Sequence, residues 1–203
     1  MSENFKLQGN RTHLRTEKEL EDIDKAVSDE AFKKYKSIIL DEYLSSQGFI
    51  KYKTNAYVRQ NKIDVLEYIG LQKERYGSKT FTVNYAIMPL YVLHNYLVLG
   101  FGGRLGELIC DKDIWWDYAD KNVAQVSFRN VAEAIDGFVL PWFDKYSNEK
   151  YLMEKLLEDK KNSKRTGLGI AYKNEEWINA IVKCDNKGEI IAENIKRLKL
   201  PKK

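Results

Sequence analysis

Histidine and cysteine are nearly absent from these 203 residues, with two of each: His13, His94, Cys110 and Cys184. No HxxxH, HExxH or CxxC spacing occurs, so a histidine- or cysteine-based zinc site is not supported and no cofactor is expected. No GxSxG elbow is present, and Cys110 has no recognisable partner motif for nucleophilic catalysis. The run Gly100-Phe101-Gly102-Gly103-Arg104-Leu105-Gly106 has Leu105 where a dinucleotide fingerprint needs glycine, and it lacks the phosphate-loop lysine. Its glycines point instead to tight backbone beside a strand. Long apolar runs are also missing. Nothing approaches the roughly 18–20 residues that span a bilayer. The opening MSENFKLQGNRTHLRTEKELEDIDK has no apolar core of the kind a secretory signal carries. The expectation is a cytoplasmic protein with reduced thiols and no membrane partner.

Apolar and aromatic residues are plentiful. They make up 43% and 12% of the chain, with 13 Tyr and four Trp. Such a chain can bury a core without staples, and its surplus aromatics can anchor contacts. Charge is uneven. Residues 150–203 hold 14 Lys/Arg against 8 Asp/Glu, whereas residues 1–149 hold 20 against 22. A basic tail can mark a nucleic-acid contact. Here the cluster Lys160, Lys161, Lys164 and Arg165 has no interleaved aromatic to stack bases, so nucleic acid is not expected.

The order of elements follows from periodicity. Residues 1–27 read as a leader. Ser28 caps a helix over 29–46, with Phe32, Tyr35, Ile38, Ile39 and Tyr43 at helical spacing and Gly48 as its stop. Three strands follow, at 49–59, 63–72 and 80–88, with turns at Asn61-Lys62 and Tyr76-Gly77-Ser78. Phe81, Val83, Tyr85 and Ile87 alternate with Thr80, Thr82, Asn84 and Ala86. A further strand is expected near 104–109 and another around Trp115-Trp116. Helices are expected over 127–143, with Pro141 kinking or ending it, and over 148–159, 174–183 and 188–200. The fold class is α+β: an antiparallel sheet covered by helices, with a basic linker and helical extension over 160–203 after a domain at 28–159.

Pairing through the turn at 76–79 makes Gln72 a cross-strand neighbour of Thr82 or Asn84. Together with Arg75 and Arg104 they form a candidate polar patch on one sheet face, or an internal network. Arg104 and Glu107 diverge in a strand and converge in a turn; a structural, partly enclosed pair is the expectation. Trp115 and Trp116 fall on opposite sides of an extended segment, one for the core and one as a contact anchor.

In order, GFIKYKTNAYVR (48–59), LQKERYGSKTFTVNYAI (71–87), RLGEL (104–108) and IWWDY (114–118) make the chain resemble a bacterial family known only as domain of unknown function 4304. The resemblance implies an α+β domain and assigns no reaction, cofactor or substrate. The function expected is a non-catalytic protein- or ligand-binding module of immunity or accessory type. An enzyme using the polar patch is the alternative, and nucleic-acid binding through the tail a further one. Oligomeric state is not legible.

Overall fold

The computed structural model describes residues 17–97, 101–162 and 173–201. Six antiparallel strands form one sheet: β1 (Ile50–Lys53), β2 (Ala56–Gln60), β3 (Val65–Lys73), β4 (Thr80–Pro89), β5 (Phe101–Arg104) and β6 (Trp116–Asp117). The order is β1-β2-β3-β4-β5, with β6 pairing the start of β4. The stretch 49–59 is two strands rather than one. It turns back at Thr54-Asn55, where two small polar residues replace the aromatic–aliphatic run, and Asn55 accepts from Leu71 N at 2.8 Å. The β2–β3 turn lies where Asn61-Lys62 predicts it. Asn61 Oδ1 accepts from Ile63 N and Val65 N, both at 3.1 Å, and Asp64 takes a left-handed φ of 59°. The β3–β4 hairpin pairs in unbroken register from Val65↔Pro89 to Lys73↔Phe81. Its turn is held by the Glu74 carboxylate, which accepts from Tyr76 N at 2.6 Å and Ser78 N at 3.2 Å.

The helix over 29–46 begins earlier than its capping signal suggests. An unbroken helical rod runs from α1 (Glu17–Tyr35) through a π-helical stretch (Lys36–Asp41) into α2 (Glu42–Ser46). Ser28 lies inside it, fully buried, and its Oγ donates back to Lys25 O at 3.0 Å. A serine satisfied by its own preceding turn needs no helix start. A second rod repeats the pattern, with α4 (Lys121–Ala134), a π stretch (Ile135–Val139) and α5 (Leu140–Tyr146). Pro141 therefore does not end its helix. It sits at the first turn of α5, directly after the widened turn, where its missing N–H is tolerated. Asp120 caps α4, accepting from Asn122 N at 2.7 Å and Val123 N at 3.0 Å.

The strand expected over 104–109 is also corrected. β5 ends at Arg104, and Leu105–Cys110 is a short helix, α3. Gly106 explains the change. A β-carbon there would overlap Lys112 O and Ile114 N, so only glycine lets the following loop fold back against the helix. The remaining helices are α6 (Glu149–Asn162), α7 (Lys173–Val182) and α8 (Lys187–Arg197). The basic linker expected after 160 falls largely outside the described residues. Among them, no helix is long and apolar enough to cross a membrane.

Alternation sorts the strands between two cores. Val65, Ile69, Leu71, Phe81, Val83, Tyr85 and Ile87 join the main core with residues of both helical rods. Phe32, Phe81 and Phe128 knit it, with centroid separations of 5.3, 5.2 and 4.9 Å. Among the described residues, the apolar cluster on the opposite phase of the sheet lies at one end. There Val58, Leu66, Met88 and Leu90 meet Leu198 and Leu200 at the end of α8. The other end of that face is where Gln72 and Asn84 lie.

Candidate functional site

The register places Gln72 opposite Thr82, and Asn84 opposite Arg104. Asn84 Nδ2 donates to Gln72 Oε1 at 3.3 Å. Trp115 comes from the loop after α3, and Arg75 and Tyr76 come from the β3–β4 turn. Gln72, Arg75, Tyr76, Arg104 and Trp115 line one depression of about 380 Å³, with the backbone strip Lys73–Glu74 at its edge. Tyr76 is 95% exposed and Trp115 37%, so two large aromatics stand at its margin.

Arg104 is the organiser. Its guanidinium pairs with Asp113 and stacks over the Trp115 ring, 5.5 Å from the centroid. This orders the loop that carries Trp115. The expected Arg104–Glu107 side-chain pair does not exist. Glu107 is the third residue of α3, and its Oε2 accepts from Arg104 N at 3.2 Å, capping the helix. Glu107 also lies beside Tyr85, on the side of the sheet away from the depression. Burial first, and the Glu107 charge second, push the Tyr85 hydroxyl up to about 12. Trp116 is separate as well. It is 9% exposed and packs 6.2 Å from Phe81 in the main core.

Other charges near the depression are committed. Lys73 Nζ donates to Asp29 at 2.7 Å and lies over Phe32, among the helices. That bond holds the Asp29 carboxyl below its usual range. The Glu74 carboxylate closes its own turn. Arg75 has no ion pair among the described residues, so it is the cation left to meet a ligand.

Sequence reasoning missed three buried polar groups. Lys36 is 4% exposed and donates to Thr54 O at 2.9 Å and Asp41 at 3.3 Å. Tyr57 also donates to Asp41, and burial followed by the Asp41 charge raises its hydroxyl far above the ordinary value. Glu67, 1% exposed, accepts from Arg59 Nε at 2.6 Å, while Arg59 also donates to Gln47 O at 2.8 Å at the end of α2. Asn194, fully buried in α8, donates to Leu90 O and Val92 O at 2.7 Å and accepts from His94 N at 2.9 Å. The signal was present in each case. Lys36 stands one turn after Phe32 on the apolar stripe, and Glu67 stands between Val65 and Ile69 in the inward phase. Every one of these groups is engaged in holding elements together. His94 is buried too, its Nε2 3.2 Å from Pro89 O.

An α+β domain with a polar, aromatic-rimmed depression on its open sheet face is thus the class defined by geometry. The family described as Domain of unknown function (DUF4304) matches residues 40–145, and the chain belongs to it. No curated protein and no solved structure matches.

Proposed function

We propose that this chain is a non-catalytic binding module, accessory or immunity-like, that docks an acidic segment of a partner protein on the Gln72–Trp115 depression. The carrying observation is the convergence there of one uncommitted guanidinium, Arg75, with two exposed aromatics, Tyr76 from the β3–β4 turn and Trp115 from the loop after α3. Arg, Tyr and Trp are the residue types enriched at contact hot spots. A bacterial, cytoplasmic setting is consistent with the Lys-, Asn- and Ile-rich composition and with two free cysteines.

An enzyme built on the same patch has less support. Glu107 caps a helix, Asp113 neutralises Arg104 and Glu74 closes a turn, so these three carboxylates near the patch are each engaged rather than poised as a general base. The test is a photo-crosslinking residue at Tyr76 in source cells, with Val182 on α7 as the control position. One discrete protein adduct is expected from position 76 and none from 182, and Arg75→Glu should abolish it without moving the thermal melt. No adduct, or one indifferent to Arg75→Glu, would overturn the reading.

A further inference from the structure

A second concavity, of about 750 Å³, lies between the sheet and α8, at the opposite end of the same face. Its size falls within the roughly 300–1,000 Å³ of small-molecule sites. Ile50, Val58, Leu66 and Leu90 form the floor, one from each of β1, β2 and β3 and one just past β4. Ile195 and Leu200 close it from α8 and the chain beyond. Among the described residues, no carboxylate lines it. The charged groups at its margin are Arg59, Lys196 and Lys199. Arg59 already serves Glu67 and Gln47. Lys196 and Lys199 are exposed and form no ion pair among the described residues. An apolar trough with two unpaired ammonium groups at its mouth complements a molecule with an apolar body and one anionic head.

The backbone at the mouth gives an independent reason. Lys199 has a φ of 52°, in the left-handed region. Its turn closes α8, with Leu200 N bonded to Ile195 O at 3.0 Å and Lys199 N to Lys196 O at 3.2 Å. Glycine is the ordinary residue at such a helix end, and a β-carbon there carries a conformational cost. Keeping lysine at this position places an ammonium at the rim in spite of that cost. The mouth is also fixed in place. Tyr52 Oη donates to Leu198 O at 2.9 Å, and Leu198 and Leu200 are buried on the sheet. The cavity is therefore bounded by anchored side chains on both sides.

We propose that this groove binds a long-chain monocarboxylate, a free fatty acid, with its chain along Ile50, Ile195 and Pro201 and its carboxylate between Lys196 and Lys199. This site is separate from the Trp115 depression, and either can fail alone. The test is displacement of a dansyl-labelled fatty acid from the full chain by monomeric palmitate. Palmitate should displace the probe. Lys196→Gln combined with Lys199→Gln, both surface changes, should weaken palmitate about tenfold and leave hexadecanol unaffected. Ala192→Trp, at the exposed rim of α8, should block both ligands with the far-ultraviolet spectrum unchanged. The proposal is overturned if palmitate displaces nothing, or if the lysine variant affects palmitate and hexadecanol alike. It is equally overturned if only phosphatidylglycerol vesicles compete, or if the parent sediments as a dimer that Ala192→Trp dissociates. That last result would give the groove to a second copy.

Discussion

Arg104 illustrates how exposure decides what a charged residue is worth. Its side chain is 31% exposed and that of its partner Asp113 42%, so water screens the pair. Exposed ion pairs contribute about 0–1 kcal/mol, far below the 3–5 kcal/mol lost when a buried pair is broken. Arg104→Ala should therefore lower the melting temperature by no more than about 4 °C, the shift that about 1 kcal/mol gives in a chain of this size. It should still release Trp115 and weaken partner docking. A drop of ten degrees or more would restore the enclosed structural pair expected from the sequence. Glu67 is the opposite case. Burial pushes its carboxyl up from 4.5, against the pull of Arg59 and Asn61. A group with a raised folded-state value binds its proton more tightly when folded. Its contribution is full below 4.5 and lost as pH rises through the folded value. Asp29 and Asp41 run the other way, contributing above 3.8 and losing stability as pH falls. The urea-unfolding free energy of the parent minus that of Glu67→Gln should thus fall as pH rises above 4.5. A flat or rising difference would show that Arg59 outweighs burial.

Among elements, the end of β3 and its turn supply most of the depression's lining, whereas β5 and α3 place Arg104 and the loop carrying Trp115, and both depend on glycines. A β-carbon on Gly102 would collide with Tyr85 O and with Ala86 on the neighbouring strand. Overpacking of this kind costs about 1–3 kcal/mol, and here it falls on the pairing that sets Asn84 against Arg104. Gly102→Ala should therefore destabilise the chain by about that amount in a urea titration and also weaken docking at Trp115. Destabilisation without loss of docking would mean that β5 does not position the site. The same elements mark where the sequence was readable. The β3–β4 hairpin was legible because strict alternation brackets a Gly-containing turn, and it brought Gln72 and Asn84 together. The β1–β2 hairpin was not, because Thr54-Asn55 lacks the glycine that usually advertises a tight turn. α3 was misread because its one glycine, Gly106, acts through a close approach of the loop at 112–114 that the pattern of apolar residues does not announce.

At the scale of the whole molecule, the two sheet faces are unequal. The main core draws on both helical rods and the inward apolar positions of β3 and β4. The second has six buried residues, with α8 as its lid. Local stability follows the apolar surface an element buries, so α8 should open before the sheet does. Asn194 is what resists that opening. It ties α8 to three backbone groups at Leu90, Val92 and His94, and Arg197 adds a bond to Asn95 at 2.8 Å. Each buried backbone group left without a partner costs about 1–3 kcal/mol. Native-state hydrogen exchange should accordingly show α8 and residues 90–95 opening as one unit, at lower free energy than β3 and β4. Asn194→Leu should lower that sub-global barrier by about 3 kcal/mol or more while leaving the β3 and β4 amides governed by global unfolding. If α8 and the central strands exchange at the same free energy, and Asn194→Leu lowers both equally, the two cores act as one. Palmitate bound in the groove would then slow exchange in α8 and in the central strands alike. If α8 opens alone, saturating palmitate should slow exchange in α8 and residues 90–95 and leave β3 unchanged, because only the lid's opening competes with binding.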